Sequence, residues 1–92
     1  MTSFDERLNL CIADLNKTSG MISPSTDKGW ENLDCMNALE RLNDALTYIS
    51  QGGKSGPKIA FASAMRQAPA VSRYHRDLFN RGCALYKEWT QR

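Results

Sequence analysis

Histidine occurs once in the 92 residues, at His75, and the three cysteines, Cys11, Cys35 and Cys83, stand far apart in the chain. No Cys-x-x-Cys or His-x-x-x-His spacing exists, so no metal site is expected. Cys83 follows His75 by eight residues, about two helical turns, too far for a thiol–imidazole pair. No nucleophile, base and orienting group come together, so neither an enzymatic activity nor a cofactor is expected. An odd number of cysteines, each inside a helical pattern, reads as reduced and largely buried thiols in a cytoplasmic protein. No apolar run approaches the ~20 residues of a membrane span. Asp5 and Glu6 stand where a signal peptide would carry positive charge, so no signal peptide and no membrane partner are expected. Strand patterns and internal repeats are also lacking. The Gly52-Gly53-Lys54-Ser55 run suggests a phosphate loop, but that loop needs a glycine five residues before Gly53, where Tyr48 stands.

The chain does hold an ordinary globular balance, 41% hydrophobic and 24% charged residues, enough for one domain with a modest core. Apolar residues at steps of three and four predict an all-α bundle of about four helices, over about 4–17, 28–50, 57–67 and 70–90. Ser3 and Glu6 form a capping box before the first, whose buried face is Phe4, Leu8, Cys11, Ile12 and Leu15. Gly20 is expected to end it in the left-handed conformation. A loop over 18–29 follows, with Met21 and Ile22 turned to the core and Thr26 or Asp27 capping the second helix. That helix, the longest, carries Trp30, Leu33, Met36, Leu39, Leu42, Leu46 and Ile49 along one side. The third is rich in alanine, which permits close helix approach. Pro69 ends it or kinks it against the fourth.

The last helix carries Val71, His75, Leu78, Gly82, Leu85 and Trp89 as one stripe, with Phe79, Cys83 and Tyr86 beside it. That apolar sector is wide for so small a protein, and part of it is read as meant for a partner. Charge divides with the chain: residues 1–53 carry four basic and eight acidic side chains, residues 54–92 eight basic and two acidic. The first half therefore reads as an acidic helical hairpin of net charge −4, the second as a basic one of +6. Either the halves complement each other, or the basic one meets an anionic partner. The candidate contact residues are Arg66, Pro69, Arg73, Arg76, Phe79, Arg81 and Tyr86, arginines and aromatics being what protein interfaces favour at their centres.

Size, the helical layout and the Gln67-Ala68-Pro69-Ala70 joint in a basic region resemble the small accessory proteins with which temperate phages of enteric bacteria redirect host enzymes. Among these the chain is similar to phage inhibitors of the RecBCD recombination nuclease. The resemblance implies a stoichiometric modulator of a large nuclease–helicase complex, acting through a protein surface. It carries no functional residues across. The rival reading is a nucleic-acid-binding helix-turn-helix over 57–92, with Ser72, Arg73 and Arg76 at the start of the recognition helix. A third is a homodimer or larger homo-oligomer that buries the flank of the last helix. Because X–Pro bonds isomerise slowly, a prolyl isomerase acting at Pro69 is a further expected partner.

Overall fold

Ser3 begins the first helix as its spacing from Glu6 predicts: the Ser3 hydroxyl accepts from the Glu6 backbone N–H at 3.2 Å. The computed structural model describes the backbone of residues 3–21 and 29–92 and the side chains of 3–18 and 33–92. Among the described residues the elements are α1 Phe4–Met21, α2 Gly29–Ser50, α3 Gly56–Arg66 and α4 Arg73–Thr90, with a 3-10 turn at Ala68–Ala70 and no strand. The fold is the expected small all-α bundle. The contacts foreseen for Met21, Ile22 and Trp30 and the cap at Thr26 or Asp27 fall outside the described residues and side chains.

Helix ends follow local chemistry, with a departure from expectation at Gly20. Gly20 does not stop α1, which runs on to Met21. Glycine inside a helix costs about 1 kcal/mol relative to alanine, too little by itself to end one. The left-handed glycine lies instead after α2: Gly52 has φ 82°. There the Gly52 N–H donates to the Ile49 carbonyl at 3.0 Å and the Gly53 N–H to that of Tyr48 at 2.8 Å. These are the paired bonds of a Schellman end, which satisfy carbonyls that α2 would otherwise leave bare. At Pro69, expected to end the third helix or to kink it against the fourth, the helix ends. Ala68–Pro69 is a trans bond, the 3-10 turn closes, and α4 starts only at Arg73. The Arg76 guanidinium fixes this joint by donating to the Val71 carbonyl at 2.7 Å.

All the other elements pack on α2, and α1 and α4 also pack on each other. The predicted α2 stripe supplies Leu39, Leu42, Leu46 and Ile49 to the core, but burial extends to Cys35, Ala38 and Ala45, because α2 is covered from more than one side. Ala60, Ala64 and Ala68, at steps of four, are buried where α3 and the 3-10 turn approach α2. Of the predicted last stripe, Val71, which lies just before α4, and Gly82 and Leu85 within it are buried as foreseen, while His75, Leu78 and Trp89 are only half-buried. The centre of the stripe is turned toward Phe79, which is 2% exposed. Because α4 contacts both α1 and α2, its buried sector is wider than a single seam.

Candidate functional site

The seven candidate contact residues do not form one face. Arg66, Pro69 and Arg73 are exposed along the segment that joins α3 to α4. Phe79 is core and is corrected as a contact residue: a partner cannot reach it while the bundle is intact. Arg76 is half-buried and spent on the Val71 carbonyl. Tyr86 is half-buried as well, its ring stacked on Phe61 of α3 with centroids 3.8 Å apart and planes 4° from parallel. Arg81 points the other way, toward α1, where it donates to the Asp14 carboxylate.

Two surfaces among the described residues combine an exposed apolar side chain with framing charge. The first is the outer side of α3. Pro57, Ala60 and Ala64 turn one side of this helix into the core, so Ile59, Ala62 and Arg66, at steps of three and four, face away from it. Ile59 is 71% exposed, and Met65, further along the same helix, is exposed too. Residues 45–76 contain no aspartate or glutamate and carry Lys54, Lys58, Arg66, Arg73 and Arg76. A shallow groove of about 380 Å³ runs between α2 and α3, with Tyr48, Ile59 and Ser63 in its wall. The acid at its edge, Asp44, is paired with Arg41 at 3.2 Å. Ile59 reads in sequence as one more apolar residue of a small helix. The signal that sets it apart is the Ala60-Ala64-Ala68 series, which claims the opposite side.

The second surface is a groove of about 370 Å³ between α1 and α4, with Leu10, Ala84 and Leu85 among its lining residues. An ion pair bridges it at each end. Arg7 of α1 donates through both terminal nitrogens to Glu88 of α4, each at 2.8 Å, and Arg81 of α4 donates to Asp14 of α1. Residue 7 thus lies beside 88 and residue 14 beside 81, so the helices are antiparallel. Leu10, between the bridges, is 60% exposed. The hydrogen bond from Arg7 holds the Glu88 carboxyl below the usual carboxylate range, and the same contact raises the Arg7 guanidinium. Arg81 is raised chiefly by its bond to Asp14. Behind it, burial raises the Cys11 thiol despite the nearby Arg81. Nothing in the sequence marks Leu10 except that it lies off the buried face of α1.

Among the described residues no three His, Cys, Asp or Glu side chains come together as a metal site, and no helix is long and apolar enough to cross a membrane. No protein family, curated protein or solved structure matches the chain.

Proposed function

We propose that this chain is a non-enzymatic binding module that occupies a surface of a larger protein and modulates it, using the outer side of α3 and the joint to α4. The observation that carries this reading is Ile59, an isoleucine 71% exposed inside a 32-residue stretch, 45–76, without one acidic side chain. Apolar anchors set the strength of such contacts, and the surrounding charge sets orientation and the rate of encounter. The partner that fits is a protein with an apolar recess rimmed by carboxylates. The resemblance to phage inhibitors suggests a DNA-processing enzyme of the host as the first class to try.

Nucleic acid is the second reading, favoured by the same lack of acids. It is weaker because phosphate binding has no use for Ile59 and Met65, and because the helix that would enter a groove carries Asp77 beside its arginines. The test is capture from nuclease-treated bacterial lysate at moderate salt, followed by assay of the retained enzyme with the chain added at equal molarity. One retained protein, its activity altered by the native chain and not by Ile59→Asp, supports the reading. Retention that depends on nucleic acid and falls steeply with salt replaces it with the second.

A further inference from the structure

The charges that frame the α1–α4 groove form a quadrupole. Along α1, Arg7 is positive and Asp14, seven residues on, negative; along α4, Arg81 is positive and Glu88, seven residues on, negative. The two bridges, Arg7–Glu88 and Asp14–Arg81, set these at the four corners of a face about 10 Å long on the helical rise of 1.5 Å per residue, so that every corner has neighbours of opposite sign. Such a face has no net charge and does not draw a uniformly acidic or basic partner. It does match its own image. When a copy is rotated by half a turn about an axis parallel to the two helices, Arg7 of one chain falls on Glu88 of the other and Asp14 on Arg81. The apolar centre matches as well: Leu10 stands proud on α1, and the α4 position beside it is the small, exposed Ala84.

We infer that this groove docks a second copy of the chain. The two copies form an isologous dimer in which α1 of each lies antiparallel on α4 of the other and Leu10 enters opposite Ala84. The pairing that closes α1 on α4 within one chain is repeated between chains, and each arginine bridges two carboxylates. The surface is separate from the outer side of α3, none of whose residues lines the groove, so dimer and partner binding are compatible.

Sedimentation of the full chain from about 1 µM to about 1 mM, the span over which small interfaces associate, tests this. The mass is expected to rise from 10.3 kDa toward twice that value, with association weakened at least tenfold by Leu10→Asp at an already exposed position. Charge reversal gives the sharper result. Arg7→Glu alone and Glu88→Arg alone each place like charges across the two-fold and are expected to stay monomeric, whereas an equimolar mixture of the two restores a dimer. Circular dichroism checks that each variant is folded; should a reversal unfold, Leu10→Asp decides. A native chain that stays at the monomer mass throughout overturns the inference, as does a dimer indifferent to Leu10→Asp or a mixture of folded reversals that does not associate. So does a monomeric chain whose larger partner is released by Leu10→Asp, which gives the groove to that partner instead.

Discussion

Gly82 of α4 lies so close to Leu42 of α2 that a β-carbon at position 82 would stand 2.6 Å from the Leu42 Cδ2 and 3.1 Å from its Cγ. The glycine lets two helices meet where Leu42 is fully buried and has little room to turn away. Gly82→Ala removes that clearance. Alanine favours the helix by up to about 1 kcal/mol, while overpacking a core costs about 1–3 kcal/mol. A net loss of roughly 1 kcal/mol is expected in urea unfolding. Leu42→Ala alone is expected to cost about 2–5 kcal/mol, and clearly less when position 82 is already alanine. A double-mutant cycle that gives simple additivity would show that the two residues do not limit each other.

Phe79 is a stability residue. Phe79→Ala empties a core position and is expected to cost about 3–5 kcal/mol, a large share of what a domain of this size holds. Its effect on partner binding should vanish once loss of folded protein is allowed for, whereas Ile59→Asp should leave the melting temperature nearly unchanged and remove binding. Thermal melts alongside binding isotherms separate the two.

The Arg7–Glu88 bridge predicts a direction of acid sensitivity. With its folded pKa depressed, Glu88 contributes stability that is present above the ordinary glutamate range of about 4.3. The contribution is lost as pH falls from there through the lower folded value. Glu88→Gln should therefore lower the melting temperature slightly near neutral pH and make it less dependent on pH below about 4.5. A variant that keeps the full acid dependence would assign it to other carboxyls.

Burial raises the thiols of both Cys11 and Cys83, and all three cysteines are free. Thiolate being the reactive form, native protein near neutral pH should react slowly with a thiol reagent. Cys83, half-buried, should react before Cys11 and Cys35, which are buried. Peptide mapping after timed alkylation gives the order, and rapid labelling of Cys11 in the native state would contradict the packing of α1 on α2 and α4.

Helix positions were legible in the sequence because periodicity and capping are local: the Ser3 cap, the α2 stripe and the break at Gly52 all follow from residues within a turn or two. What depended on docking was not. Phe79 looks like a flank residue until α2 and α1 together widen the buried sector of α4. Arg76 looks like a surface cation, because only the folded 3-10 turn presents it with the Val71 carbonyl. The Arg7–Glu88 bridge spans 81 residues of sequence and exists only because α1 and α4 lie side by side. Division of the charge left open whether the basic half faces the acidic one or a partner, and the fold divides it: Arg81 is drawn to the α1 side by Asp14 while Lys58 and Arg66 stay exposed on α3.

Tyr86 and Leu85 are adjacent in α4 but serve different neighbours, Tyr86 stacking on Phe61 of α3 and Leu85 lining the groove with α1. Between the two proposed surfaces therefore stands a partition of two helices, α3 and α4, joined at the Phe61–Tyr86 stack. An occupant that tilts this partition from the α3 side changes the spacing of Arg81 and Glu88 from Asp14 and Arg7 on the other. Linkage then makes the influence mutual: whatever factor the partner applies to self-association, self-association applies to the partner.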